Sequence, residues 1–187
     1  NDNAVIDNYL ISMVSGGNLN QSRLDQYMAK GLDINATTSD DDRYTACHFA
    51  AWDGNNEVLS MLIVAGANPD IVGGDTFTPL NLASSNGHLD CVKVLIANNV
   101  NIDNRIFLEN IYHSINGGTA LRDALLNLLW DVADILIDAG ASVQVLNEKC
   151  LNGEDFFEVI TQFAKNSSDP KYNILRVEQI NKLVNES

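Results

Sequence analysis

Positive charge is what this chain has least of. Lys and Arg total 11 against 25 Asp and Glu, a formal net charge of −14 over 187 residues. A surface that acidic repels phosphate backbones and anionic lipid headgroups, so nucleic acid and membrane are poor partners for it. A protein with a basic, partly apolar surface suits it better, although the same acidity also serves solubility. Only three prolines occur and no low-complexity run, which argues against a disordered linker. No apolar stretch approaches the roughly 18 residues of a membrane span. Three cysteines, Cys47, Cys91 and Cys150, are odd in number and lack a framework spacing, as reduced thiols of a cytoplasmic protein would. The chain opens on Asn1 rather than Met, as a trimmed chain does, so a removed leader or a further domain stays open.

Missing as well are the patterns of catalysis. There is no phosphate-loop glycine motif, no G-x-G-x-x-G, no G-x-S-x-G, no H-E-x-x-H and no C-x-x-C. An enzyme in its own right has no residue set to support it, and no cofactor is expected. Cys47-His48 taken with His88 and Cys91 invites a zinc reading, but both cysteines fall at core positions of the repeat described next, so no metal site is expected.

What is present is a repeat. The stretch from Thr78 to Asp103 reads TPLNLASSNGHLDCVKVLIANNVNID. Thr78-Pro79 starts a helix, a hydroxyl cap followed by a proline whose missing N–H has no partner to lose. Leu80, Leu82 and Ala83 share a face, Asn86-Gly87-His88 breaks the helix, and Val92, Val94, Leu95 and Ile96 mark a second. Two short helices cannot bury both faces alone, so the unit needs neighbours. They begin at Thr45, 33 residues before, and at Thr119, 41 residues after. Five places beyond each threonine stands alanine (Ala50, Ala83, Ala124). Twelve beyond stands an acid (Glu57, Asp90, Asp131), and seventeen beyond stands leucine (Leu62, Leu95, Leu136). With these three copies the chain resembles the ankyrin repeat, whose signature is a T-P-L-H-type tetrapeptide about every 33 residues.

The resemblance implies an all-α solenoid of about five helix-turn-helix repeats joined by short β-turn or hairpin fingers, one domain over residues 1–187. Residues 1–36 form a degenerate first repeat, with Gly31 as its left-handed cap. Repeats follow at 37–70 and 71–103, with helices expected from Thr45 to Asp53 and from Asn56 to Ala65. Gly73-Gly74 is able to take positive φ, and Asn99 stands in for a cap glycine. The repeat at 104–144 carries an insertion, 104–116, with Ile106, Phe107, Leu108, Ile111 and Tyr112. This segment either folds back on the repeats or touches a partner. Leu128 replaces a turn glycine, which predicts a longer first helix there. Residues 145–187 form a degenerate cap, with Phe156, Phe157, Ile160 and Phe163 along one helix behind Asp155, and Ile174, Leu175, Val177, Ile180 and Leu183 along the next.

By the same resemblance, fingers and first helices form a concave protein-binding face. Its variable positions place Asp41, Asp42, Tyr44, Trp52 and Asp53 in one repeat and Asp75 and Phe77 in the next. Tyr44, Trp52 and Phe77 would make an aromatic patch inside an acidic rim, suited to a partner offering Arg or Lys beside apolar groups. The competing reading packs Trp52 over its neighbouring repeat. Phe107 and Tyr112 of the insertion complete the candidate set. His48 is the family's motif histidine, which ties adjacent repeats by hydrogen bonds. Asp33-Ile34-Asn35 matches the site at which ankyrin repeats are hydroxylated on asparagine, making Asn35 a candidate for modification. The expected function is protein recognition without catalysis by a monomeric cytoplasmic adaptor, scaffold or inhibitor. The alternative is a targeting or regulatory domain of a larger enzyme or of a secreted bacterial effector, which would be delivered into a host cytoplasm.

Overall fold

The computed structural model describes residues 2–31, 33–74, 76–105, 118–147, 149, 154–166 and 174–186. They fall into two compact units, Asn1–Asn101 and Ile102–Ser187. No strand occurs among the described residues, so the fingers are turns rather than paired ribbons.

Unit 1 holds α1 (Asp2–Ser15), α2 (Gln21–Met28), α3 (Ala46–Trp52), α4 (Asn56–Val64), α5 (Pro79–Ser85) and α6 (Leu89–Ala97). Helix α3 packs on α1, α4 and α5, and α6 on α4 and α5. The threonines act where the spacing put them. Thr78 begins α5: its hydroxyl accepts from the Asn81 N–H at 3.3 Å, while Asn81 Oδ1 accepts from the Thr78 N–H at 3.1 Å. Each satisfies a donor that the helix start leaves over. The alanine five places on is needed because the chain folds back over it. In both repeats the backbone N–H ten places beyond the threonine donates to that alanine's carbonyl at 2.9 Å (Asn55 to Ala50, His88 to Ala83). Leu24, Leu59, Leu62 and Leu95 are fully buried, and each contributes about 1.5–3 kcal/mol by leaving water.

Unit 2 holds α7 (Ala120–Leu126), α8 (Trp130–Asp138), a 3-10 turn (Val143–Asn147), α9 (Phe156–Asn166) and α10 (Ile174–Glu186). Helix α7 is seven residues long, the same as α3 and α5, so the longer helix expected from Leu128 does not form. Leu128 instead adopts φ +58, taking the conformation of the glycine it replaces. Leu129 N–H then closes on the Ala124 carbonyl at 2.8 Å, the same bond as in the other repeats. The fold-back decides the conformation and overrides the side chain's reluctance.

Other expectations meet the same test. Gly31 takes positive φ at its helix end and Asn99 does so at φ +58, and Gly66 and Gly140 are found in the same conformation. In the second finger the positive φ falls on Thr76 (+70), not on Gly73-Gly74. Those glycines serve close approach. A Cβ on Gly74 would lie 1.8 Å from the Asp41 carbonyl oxygen, and one on Gly73 would lie 2.6 Å from the Tyr44 ring. In the C-terminal helices Phe163 and Leu183 stay 37% and 47% exposed. The inward faces are Phe156, Val159, Ile160 and Ala164 on α9, and Val177, Ile180 and Val184 on α10. Asp155 caps α9 as anticipated, its carboxylate accepting from Phe157 N–H at 2.9 Å. The insertion lies outside the described residues from 106 onward.

A side-chain ladder joins successive repeats. Asn35 Oδ1 accepts from the Asn68 N–H and Asp70 Oδ1 from the Asn101 N–H, each at 2.8 Å. Within unit 2, Asp103 Oδ1 accepts from the Ser142 N–H at 2.9 Å.

Candidate binding groove of unit 1

The first finger folds on its own polar residues. Thr38 N–H donates to the Tyr44 carbonyl at 2.9 Å, and Tyr44 N–H donates to Thr38 Oγ1 at 3.0 Å. Asp40 Oδ1 accepts from the Thr38 hydroxyl and from the Arg43 N–H. Arg43 turns the chain at φ +46, and Gly74 N–H donates to the Asp42 carbonyl at 2.6 Å, fastening the finger to its neighbour.

Tyr44 then enters the repeat. It is only 8% exposed and stacks on the His48 ring, with centroids 4.7 Å apart and planes 5° from parallel. His48 is fixed in turn. Its Nδ1 accepts from the Thr45 N–H at 3.1 Å, so the proton sits on Nε2, which donates to the Phe77 carbonyl at 3.2 Å in the next repeat. That is the inter-repeat tie expected of the motif histidine. Phe49 meets the Tyr44 ring edge-on at 6.0 Å. One helical turn further, Trp52 is 51% exposed, with its backbone carbonyl held by His88 Nε2–H at 2.8 Å.

These residues enclose a groove of about 420 Å³ lined by Ser15, Thr38, Asp40, Asp42, Tyr44, Phe49, Trp52 and Asp53. Three carboxylates and three aromatic rings line it, and among the described residues no basic side chain does. Arg43, next to Asp42 in sequence, has its Nε beside Gly74, 3.4 Å from where a Cβ on that glycine would lie.

Of the residues proposed from sequence, the groove gathers Asp42, Tyr44, Trp52 and Asp53. Tyr44 lies in its floor rather than standing as an exposed anchor. Trp52 is not consumed by packing over its neighbour. Asp41 is exposed but outside the lining, its carbonyl turned to Gly74. Phe77 is half-buried and outside the lining, and its carbonyl accepts from His48. Asp75, Phe107 and Tyr112 lie outside the described residues. Asn35 is half-buried. Its N–H donates to Asp33 Oδ1 at 2.9 Å, and its own Oδ1 serves the ladder.

Asp40 and Phe49 were missed, and both carried a signal. Asp40 alternates with Asp42 along the finger, and Phe49 lies three residues before Trp52, on the same helix face. Ser15 carried none, because it arrives from the preceding repeat through packing.

The thiols take no part. Burial pushes Cys47 up to about 12. Burial, with Asp90 as the lesser cause, pushes Cys91 up to about 11. Neither is a thiolate at neutral pH, the form that nucleophilic attack and metal ligation require. Among the described residues no group of three His, Cys, Asp or Glu side chains could hold a metal.

Repeated helix pairs, positive-φ caps and the His48 tie define a class of helical repeat proteins that present a groove rather than a catalytic centre. This chain belongs to the ankyrin-repeat family: the family model of ankyrin repeats (3 copies) matches residues 10–106 and 47–147. It is 46% identical over 61 residues to the E3 ubiquitin-protein ligase XB3 of Oryza sativa subsp. japonica, a match covering 33% of this chain and 14% of that protein. To the potassium channel AKT2/3 of Arabidopsis thaliana it is 35% identical over 83 residues, 44% of this chain and 9% of that protein. To the ankyrin repeat and SAM domain-containing protein 6 of Mus musculus it is 25% identical over 155 residues, 82% of this chain and 16% of that protein. The chain thus corresponds to a minor part of each of these relatives.

Proposed function

We propose that the groove of unit 1 docks a protein partner through a basic and apolar segment, and that the repeats serve as a non-catalytic adaptor, scaffold or inhibitor. Ankyrin repeats are protein-interaction modules. The observation that carries the choice of face is Trp52, half exposed in a groove that also collects Asp40, Asp42 and Asp53. An exposed indole beside carboxylates is a typical interface anchor. Asp41 and Phe77 extend the candidate face, and Asp75, Phe107 and Tyr112 remain candidate partner contacts on the resemblance alone. Acidity disfavours nucleic acid and membrane, and among the described residues no helix is long and apolar enough to cross a membrane. Buried free thiols fit a cytoplasmic, monomeric protein, in a host cytoplasm if it is an effector.

The test is affinity capture from source lysate with three baits: the intact chain, Trp52→Ala/Phe77→Ala, and the chain lacking 104–116. Loss of the same protein from the second bait, at unchanged thermal stability, supports the groove. A partner retained by the double variant overturns it. Loss from the third bait alone places binding on the insertion.

The lengths of the relatives favour a second reading, in which these repeats are the targeting or regulatory part of a larger enzyme. The full-length gene decides between them. We further propose Asn35 as a hydroxylation site, its side chain half-buried at a repeat junction. Intact mass of native material, with or without one added oxygen, tests that.

A further inference from the structure

An exposed anchor serves binding best when it is held still, and a residue outside the groove lining holds this one. We infer that His88 is a positioning residue for Trp52: from the next repeat it pins the last turn of α3, so that the indole is presented in one orientation. This inference rests on the docking role proposed above.

A helix leaves its last four carbonyls without partners inside it. In α3 these belong to Phe49, Ala50, Ala51 and Trp52. The chain's own fold-back serves three of them. Phe49 accepts from Asp53 N–H and Ala50 from Asn55 N–H, each at 2.9 Å, and Ala51 accepts from Gly54 N–H at 3.4 Å. The fourth, Trp52, accepts from His88 Nε2–H at 2.8 Å. A carbonyl can only accept, so the proton of the neutral ring sits on Nε2. Ser85 and Leu126 stand where Trp52 does, seven places beyond their threonines. Among the described residues, neither carbonyl takes such a bond from a side chain.

The place ten beyond each threonine is filled in three ways. Asn55 stays with its own helix, its Oδ1 accepting from Val58 N–H at 3.0 Å. Leu129 has no side-chain donor to offer. His88 leaves the start of α6 without a side-chain cap and reaches back 36 residues instead. A cap would stabilise α6, so the bond given up here serves α3. Gly54 permits the reach, because a Cβ there would lie 2.5 Å from His88 Nδ1. Helix α3 is only seven residues long, and a helix so short frays from its ends. Trp52 is its last residue and is 51% exposed, so little packing restrains it. A side chain that is loose before binding must be ordered on binding, which subtracts from affinity. Fixing the Trp52 backbone sets the direction in which the indole leaves the helix, into the groove it shares with Phe49 and Asp53.

The experiment is nitrogen NMR relaxation of the isotope-labelled intact chain, with the Trp130 indole as internal control. In the native protein the Trp52 indole N–H should be as rigid as folded backbone, with an order parameter of about 0.85. His88→Leu grafts the residue that the following repeat carries at this place. It should drop the Trp52 indole below about 0.6, loosen the Trp52 and Asp53 amides and leave Trp130 unmoved. His88→Gln, which puts an N–H donor at a similar reach, should restore the native values. The purified protein captured by the intact bait should bind His88→Leu about fivefold more weakly, and His88→Gln as well as the native chain. A native Trp52 indole that is already mobile overturns the inference without any variant. Unchanged order in His88→Leu overturns it too, as does equal loosening in His88→Gln, which would assign the effect to the ring's packing on Gly54. If Trp52→Ala abolishes binding while His88→Leu loosens the indole and binds normally, the docking role stands and the positioning role falls. If His88→Leu loosens the indole while binding ignores both substitutions, His88 still holds the end of α3 and the docking role falls.

Discussion

At the fourth residue of the repeat tetrapeptide, unit 1 carries His48 and Asn81, and unit 2 carries Arg122. His48 and Asn81 work locally. Each serves the backbone N–H of its own threonine, and His48 adds one bond to the next repeat. Arg122 reaches out of its tetrapeptide. Its Nη1 donates to the Val145 carbonyl at 3.0 Å, and its guanidinium lies 4.4 Å from the centre of the Phe156 ring. It is 2% exposed. The same repeat position thus closes a helix start in one unit and holds the 3-10 turn and α9 in the other. A long cation does the second task because the next element, a degenerate cap, offers its carbonyl and ring farther away. Repeat position decides that the residue is buried. What lies beyond it decides which chemistry that residue needs.

Four substitutions probe this contrast, with Trp52 reporting on unit 1 and Trp130 on unit 2 in urea titrations. The largest effect should be the same in both units. Leu95→Ala and Leu136→Ala empty equivalent, fully buried sites, and each should cost about 2–5 kcal/mol. A large disparity would mean that one unit packs less tightly. Next, Arg122→Ala should cost about 3 kcal/mol, felt by Trp130, through a lost charge-assisted bond and lost cover over Phe156. His48→Ala should cost about 2 kcal/mol, felt by Trp52, by leaving the buried Thr45 N–H unserved. Equal costs for the two would remove the distinction drawn above.

The turn position separates the units more finely. Gly54→Ala should cost more than about 1 kcal/mol, since φ is +72 and the new Cβ would lie 2.5 Å from the His88 ring. Leu128→Gly should change stability by less than about 1 kcal/mol, because relief of the left-handed backbone is offset by chain entropy. The last pair concerns the cap. Thr78→Ala should cost about 1 kcal/mol, whereas Thr119, which makes no side-chain cap bond, should tolerate alanine at a cost of a few tenths. Thermal melts of the two variants check this pair.

Much of this was legible from spacing. The threonines, the alanine beneath each fold-back and the cap residues Gly31 and Asn99 all serve bonds within their own repeat. Local sequence suffices for such bonds. Legibility failed where the cause was distant. Leu128 was read as a helix former because its own preference favours that, yet the bond from Leu129 to Ala124 overrules it. Gly73-Gly74 were read as able to take positive φ because glycine adopts it freely, while the first finger's approach required those glycines for space. In the candidate groove, neighbouring elements decide which of the residues named from family positions line it. Tyr44 sinks onto His48, Phe77 is outside the lining, and Phe49 and Asp40 take up lining places.

The sequence by itself determined the repeat, its helix starts and caps, its acidity and the lack of catalytic motifs, since these depend on residue type at short separations. Only the tertiary structure decided that Trp52 stays open to solvent, that Asp40, Asp42 and Asp53 converge beside it, and that Arg122 is spent inside unit 2. The reason is physical: whether a side chain is covered depends on what the neighbouring repeat brings over it, and that neighbour lies 29 to 36 residues away along the chain.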